Sequence, residues 1–333
     1  MTAPTSPQLT SPKLTPPRRT SRRLTTPTGT PILGDAEIRH RPKSPVPYVL
    51  IIPAIGMLLV ALAYPLGWQF LTSMQKFGLA QQFGKPPEFV GLANYRELFT
   101  DPQTWDVVGR SIAFCLVNAA ITVTLGVLVA LLMNAVDKVT RLILQIAMLL
   151  AWAMPVIAAM TVWIWLFDWR RGVVNWLLTR IGFDFTNHNW LERPLSFFLV
   201  ATIIVVWASV PFVAFSVYAG LTQISTEVLE AAQMDGATGV QRFFSIILPM
   251  IRPVLMIVLL LQVIWDLRVF AQIKMLQDAG APTSSTDLLG TYIYRLGVGS
   301  SDFAMASALS IFVLLLTIGL SFFYVMQLMK EES

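Results

Sequence analysis

Reactive side chains are scarce in this chain: it has one cysteine and two histidines in 333 residues. A single thiol, Cys115, cannot close a disulfide within the chain, and there is no CxxC pair to hold a metal. Cys115 is therefore expected to be a small packing residue. His40 and His188 have no neighbours that would complete a metal or catalytic set, so both are expected to be solvated. With no convergent acid, base, metal or nucleophile, an integral membrane enzyme is disfavoured. Gly84-Lys85 is followed by Pro86-Pro87 and not by the frame of a phosphate-binding loop, so the chain itself should not hydrolyse ATP. No cofactor, metal or nucleic-acid partner is expected. Charge is also sparse, at 13% against 55% hydrophobic residues, and the mean hydropathy is +0.64. That balance excludes an ordinary soluble domain.

What the chain has in quantity is long apolar runs. Crossing about 30 Å of hydrocarbon at roughly 1.5 Å per residue takes about 20 residues. Six runs meet that length: 48–71, 111–135, 142–167, 197–221, 254–276 and 304–329. They predict an all-α membrane protein with six transmembrane helices. Pro155 and Pro211 fall inside runs and are candidate kinks, because each removes a backbone donor.

Residues 1–47 are rich in Ser, Thr and Pro, carry Arg18, Arg19, Arg22, Arg23, Arg39, Arg41 and Lys43, and contain almost no large apolar side chain. Such a tail cannot bury a core and is expected to be disordered. SRRL at 21–24 and Ala61-Leu62-Ala63 imitate parts of an export signal, but a long polar stretch separates them and the apolar run continues past the supposed cleavage site, so cleavage is not expected. Lys and Arg close to a span favour the cytoplasmic side. Arg39, Arg41 and Lys43 thus place the N-terminus inside, and six crossings return the C-terminus, 330–333, to the same side. The presumed outer loops nevertheless hold Lys76, Lys85, Arg96, Arg170, Arg171, Arg180, Arg193 and Arg295, so the tail alone carries this orientation. The expected organisation is a tail at 1–47, a first helix and outer loop at 48–110, and a transmembrane core at 111–329.

One segment interrupts the apolar pattern: EAAQMDGATGVQRFFSIILPMIRP, 230–253. Just upstream, Ser225 can cap a helix whose first turn holds Thr226 and Glu227, favourable at the positive end of the helix dipole. Gly236 supplies a stop. Thr238 followed three residues later by Gln241 fits a capping box that opens a second helix, running through Phe243, Phe244, Ile246, Ile247 and Leu248 up to Pro249. A short helix, a turn and a second helix make a stiff, capped knob suited to a groove on a soluble partner. The other reading is a connecting loop with a chance turn, although loops this long are uncommon unless functional.

The same residues carry a resemblance. The spacing of Glu230, Ala231, Ala232, Asp235, Gly236, Ala237, Phe243, Ile246, Leu248, Pro249 and Pro253 closely resembles the cytoplasmic EAA loop of ABC importer permeases, here at 222–253. FVGLANYRELFTDPQTW (89–105), RRGVVNWLL (170–178) and WASVPFVAFSVYAGLTQIS (207–225) are similar to segments of the branch of that family that imports carbohydrates, and the likeness runs from about 48 to 329. The resemblance implies a type I importer permease fold in the cytoplasmic membrane of a prokaryote. It also implies a second homologous permease, two ATPase subunits, an extracytoplasmic solute-binding protein, surrounding lipid and a sugar substrate. In the family the EAA loop is the coupling helix seated in the ATPase, with the acidic and glycine positions central; by motif these are Glu230 and Gly236. A non-sugar polar solute such as glycerol phosphate, or a membrane scaffold that only recruits partners, are the alternatives.

Within the bilayer, VIWDLRVFAQIKML (263–276) holds Asp266 and Arg268, and ionisable groups at such depth usually face protein or a wet cavity. Two residues advance about 200° around a helix, so these two cannot pair on one face. On a continuous helix Asp266 shares a stripe with Gln262 and Phe270, and Arg268 with Gln272. Each is expected to have its partner on another helix. An interhelical salt bridge or a hydrogen bond between subunits is one reading; gating or contact with a passing sugar is the other, and for the latter Phe270, Gln272, Trp265 and Trp207 have suitable chemistry. The chain departs from the family here: Phe270 is followed by Ala271 where many members have Asp, and the next loop reads AGAP (279–282) in place of a Gly-rich run.

Overall fold

In the computed structural model the described residues are 46–331, with side chains placed for 49–326. The tail at 1–45, where the disorder expectation falls, and the last two residues lie outside them. The described residues fall into two units that divide between Val60 and Ala61. The first unit contributes α1 (Val46–Leu58), whose side chains from residue 49 onward are all exposed. That is the expected surface for an apolar helix whose solvent is lipid.

The second unit begins with α2 (Tyr64–Ser73). The two-residue strands β1 (Gln75–Lys76) and β2 (Glu88–Phe89) pair antiparallel, with α3 (Leu79–Gln82) between them. Next, α4 (Ala93–Thr100) leads to Asp101, whose carboxylate accepts from the Gln103 amide at 3.1 Å and so opens α5 (Pro102–Ala135). The turn between α5 and α6 (Lys138–Ala153) is fixed from both sides. Asp137 accepts from the Val139 and Thr140 amides at 2.9 and 3.1 Å, while Arg141 donates to the Met133 and Val136 carbonyls at 2.6 and 3.0 Å. The Thr140 hydroxyl and amide hold the Asp137 carboxyl below its ordinary range. The cap is therefore complete at neutral pH and is lost only as pH falls through that lowered value.

After α6 the chain turns into α7 (Val156–Leu166), then runs through α8 (Val173–Arg180) into the long α9 (Pro194–Leu221). At about 1.5 Å per residue the 28 residues of α9 reach roughly 42 Å, enough to cross the hydrocarbon. Two shorter helices follow, α10 (Thr226–Met234) and α11 (Gly239–Arg242). A single π-helical turn, Phe243–Ile247, joins α11 to α12 (Leu248–Leu267). The remaining elements are α13 (Ala271–Asp278), α14 (Thr283–Thr286), α15 (Leu289–Tyr294), a further π turn at Arg295–Gly299, the third after Leu59–Ala63 and Phe243–Ile247, and α16 (Phe303–Glu331).

Among the described residues five helices are long and apolar enough to cross a membrane, and six spans result if α6 and α7 count as one. The expected third span, 142–167, is thus not one straight helix: its halves are bent by 99°. Pro155 is the cause, since it has no amide to donate and drives the preceding Met154 into extended geometry, φ −67° and ψ 128°. Pro211, by contrast, lies inside an unbroken α9. The helix opened by the Thr238 cap does not stop at Pro249. The π turn before Pro249 shifts the hydrogen-bond register, and helix continues through Pro249 and Pro253 into the fifth span.

Three clusters of buried side chains bind the second unit. Met160, Phe197, Ile204 and Ile273 join α7, α9 and α13. Leu98, Val107, Leu289 and Leu309 join α4, α5, α15 and α16. Ala130, Val213, Val217 and Ile251 join α5, α9 and α12. Lipid is as apolar as these side chains, so close packing rather than escape from water holds the helices, and small residues at crossings matter most. Gly126 is such a crossing: a Cβ there would lie 2.4 Å from Val213 Cγ1 on α9.

Gly126→Leu should therefore cost about 1–3 kcal/mol of packing and lower the thermal midpoint of the purified chain by several degrees. Gly319→Leu, whose Cβ meets nothing within 4 Å, should leave it unchanged. Equal midpoints for the two variants would show that α5 and α9 do not cross at Gly126.

Candidate functional site

The segment between α9 and α12 closes on backbone geometry. Ser225 Oγ accepts from the Glu227 amide at 3.2 Å and starts α10. At the other end of α10 the Gly236 amide donates to the Gln233 carbonyl at 3.1 Å and the Ala237 amide to the Ala232 carbonyl at 3.0 Å. This is the Schellman pattern, and it requires a left-handed residue at position 236. Gly236 has φ +82°, which a residue with a Cβ adopts only with strain. The expected capping box is present. Thr238 N donates to Gln241 Oε1 at 2.8 Å, and Gln241 N donates to Thr238 Oγ1 at 3.3 Å. Arg242 then donates to Gln233 Oε1 at 3.2 Å and ties α11 back to α10.

Within this frame Ala232 is buried and Ala237 half-buried, so the small side chains of the motif pack inward. Glu230, Ala231, Asp235 and Gly236 are exposed. Three further residues are exposed, Met234 (88%) and Val240 (67%), which the sequence reading overlooked, and Phe244 (61%), which it placed on the second helix without a direction. They give the polar knob an apolar surface. Their signal was their chemical type, large apolar residues flanking a run of caps, but nothing in the spacing showed which way they faced.

A second candidate lies around the end of α12. A cavity of about 440 Å³ is lined by Ser209, Trp265, Asp266, Arg268, Phe270 and Gln272, among others. The helix ends at Leu267 and restarts at Ala271, so Arg268, Val269 and Phe270 form a non-helical break. The stripes expected of one continuous helix are thereby corrected: Phe270 does not follow Asp266 on a shared face, nor Gln272 follow Arg268. The break instead brings all four to one cavity. Asp266 also takes its partner from its own helix rather than another, accepting from Gln262 Nε2 at 2.9 Å. Its Oδ2 and the Gln262 Oε1 are buried without a protein hydrogen-bond partner, and no ion pair joins Asp266 to a cation among the described residues.

Trp207 does not belong to this cavity. It packs edge-on against Trp163 at 5.5 Å and faces an apolar groove with Leu125 and Met148. Nor is His188 solvated as expected. It is half-buried, 5.1 Å from Phe185 and 4.9 Å from Trp190, because the loop after α8 forms an aromatic cluster of its own. Cys115 is buried, with its thiol donating to the Val263 carbonyl at 3.5 Å between α5 and α12.

A buried polar set that sequence reasoning missed stands behind the break. Asp287 accepts from Arg295 Nε at 2.6 Å and from Gln277 Nε2 at 3.1 Å, while Arg110 donates to the Asp287 carbonyl at 3.2 Å. These bonds anchor α15, and a Cβ on Gly290 of that helix would sit 3.1 Å from the Val269 carbonyl. Phe270 meets Tyr294 at 5.5 Å. The non-helical break is thus backed by an ordered helix and not left loose. Charged residues of a loop gave no clue that they would pair across the bundle.

Comparison with known proteins adds to this geometry. Residues 122–329 match the family described as binding-protein-dependent transport system inner membrane component. The diacetylchitobiose uptake system permease protein DasB of Streptomyces coelicolor is 38% identical, covering 90% of this chain and 91% of that protein. The trehalose/maltose transport system permease protein MalF of Thermococcus litoralis is 32% identical, covering 87% of this chain and 95% of that protein. A bacterial ABC transporter involved in the import of the acidic polysaccharide alginate shares the fold, with TM-score 0.74 and 24% identity over 86% of this chain and 95% of that one.

If the turn is held as described, Gly236→Val should strain it by about 1–2 kcal/mol, and the Gly236 and Ala237 amides should exchange with deuterium roughly 5–30 times faster. Gly236→Asn, which tolerates the left-handed region, should change exchange little. Identical rates in the valine variant would mean that the turn does not depend on this geometry.

Proposed function

The chain belongs to the binding-protein-dependent transport system inner membrane components, the permease subunits of ABC importers, and from that premise we propose that it carries a sugar across the cytoplasmic membrane on energy received at α10. The observation that carries the proposal is the closed, doubly capped turn at Gly236, placed between two spans and tipped with exposed Met234 and Val240. Glu230, Ala231, Ala232, Asp235, Gly236 and Ala237 form the element seated in a separate ATPase. Its rigid shape lets movement of that partner reach α9 and α12 without being absorbed in the loop. Moving a two-state population from 1:99 to 99:1 takes about 5.5 kcal/mol of differential affinity, which a loose connection would not transmit.

This assignment places the turn, and both chain ends, on the cytoplasmic side. The cavity at the α12 break then lies toward the other side and serves as the passage. Asp266, Arg268 and Gln272 offer hydrogen bonds to hydroxyls, and Phe270 and Trp265 offer faces to C–H groups. Trp207 is outside that passage. The substrate class is a di- or oligosaccharide: the named relatives serve diacetylchitobiose and trehalose/maltose uptake, which favours sugar over glycerol phosphate. A second homologous permease, two ATPase subunits and an extracytoplasmic solute-binding protein complete the assembly.

Two measurements check these roles. Gly236→Trp and Val240→Asp should abolish uptake and reduce recovery of the ATPase with the purified complex, while membrane insertion is retained; full uptake in either variant removes the turn from energy transfer. Arg268→Gln should lose a charge-assisted bond worth ~1.5–3 kcal/mol and slow uptake by about tenfold or more, with ATPase association intact. Uptake equal to that of the unaltered chain would take the cavity out of the passage.

A further inference from the structure

The arginines beyond α7 are not explained by transport or by chain orientation. Arg170 and Arg171 follow α7 closely, Arg180 ends α8, and all three line one open cavity of about 480 Å³ together with Trp169 and Trp176. The Arg170 guanidinium lies 4.2 Å over the Trp169 ring and that of Arg180 lies 5.2 Å over the Trp176 ring. Stacking of this kind orients a guanidinium and leaves its edge free to donate. Among the described residues none of the three is paired with a carboxylate. Asp168, the nearest acid in sequence, instead accepts from the Arg170 and Arg171 amides at 3.0 and 2.7 Å, so its role is to shape the loop. The cavity is therefore a concave surface with three positive charges.

Its rim is apolar. Of the lining residues Trp176 is more than half exposed, and so, next to it in sequence, are Leu177, Ile181 and Phe183, as is Trp165 in the last turn of α7. Water does not favour such a rim, but a membrane interface does: aromatic side chains gather where a span leaves the hydrocarbon, and short amphipathic helices lie there with their apolar face toward the acyl chains. Trp169 follows the end of α7 at Leu166 by three residues, which places the arginines at that level. The loop also stands at the end of α9 opposite the Gly236 turn, since α9 begins at Pro194 and ends at Leu221.

We propose that this cavity binds the phosphate of an anionic phospholipid headgroup, with the acyl chains resting against the exposed apolar side chains of α8 and the residues after it. Guanidinium edges match phosphate oxygens in paired hydrogen bonds, and the three charges select a headgroup of net negative charge over a zwitterionic one. A soluble anion would use the arginines alone and gain nothing from Trp176, Leu177 or Ile181. The charge and the apolar rim together are what a lipid requires.

The test uses the full-length chain in nanodiscs of phosphatidylcholine containing phosphatidylglycerol, with retained lipids read by native mass spectrometry. The unaltered chain should retain phosphatidylglycerol over phosphatidylcholine by about tenfold, the discrimination expected of charge-assisted hydrogen bonds. Arg170→Gln with Arg180→Gln should remove that preference, and Arg96→Gln, outside the cavity, should not. Equal retention of the two lipids by the unaltered chain overturns the proposal without any variant, as does undiminished preference in the double variant. Displacement of the lipid by millimolar inorganic phosphate would identify a soluble-anion site instead. Loss of solute-binding-protein attachment with lipid retention unchanged would identify a protein interface.

Discussion

Hydrocarbon offers no hydrogen bonds, and this dictates where the chain can stop being helical. Inside the spans every interruption must be satisfied by protein or must open on a polar space. Two interruptions occur. At Met154–Pro155 the proline has no amide to leave unpaired, and the chain bends by 99°. At Arg268–Phe270 the backbone lies against α15 and lines a polar cavity. Everywhere else in the bundle helix persists, even through Pro211, Pro249 and Pro253. The candidate functional features of the chain are concentrated where helix ends.

Most of the architecture was legible because lipid removes ambiguity. An apolar run of sufficient length has one stable form there, so five of the spans could be read directly, and the sixth, 142–167, as a run but not as the 99° bend it takes. The turn at Gly236 was legible for a different reason: caps are local, and Ser225, Gly236, Thr238 and Gln241 act on backbone groups within three or four residues of themselves. What could not be read depended on contacts distant in sequence. The pairing of Asp287 with Arg295 and Gln277 relies on how α13 and α15 pack. The helical stripes drawn through Asp266 and Arg268 failed because no local signal, neither Pro nor Gly, marks the break at 268–270. Trp207 had the right chemistry but packs edge-on against Trp163 away from the cavity. For His188, the partners Phe185 and Trp190 were close in sequence, but their rings meet only because the loop doubles back.

The two candidate regions are joined by the same helices. α9 and α12 both lead from the Gly236 turn, and Ser209 of α9 lines the cavity together with Asp266 of α12. A push applied at the turn has two rods on which to act, packed through Val213, Val217 and Ile251 with α5 alongside. In the proposed mechanism, the cavity changes shape because these rods tilt, not because any loop beside it moves. The proposed passage accords with the polar groups in the cavity, including the buried Asp266 Oδ2, having few protein partners. A passage that bound its own walls tightly would have little capacity left for hydroxyls.

The turn at Gly236 has one more implication. Its shape is held by main-chain hydrogen bonds, one left-handed glycine and the Thr238–Gln241 pair, none of which involves Met234, Val240 or Phe244. Those three side chains can therefore be exchanged without refolding the element that presents them. On the proposed coupling role, recognition and stiffness fall to separate residues, so the lineage could acquire a new motor by altering a few apolar contacts while the transmission stayed the same.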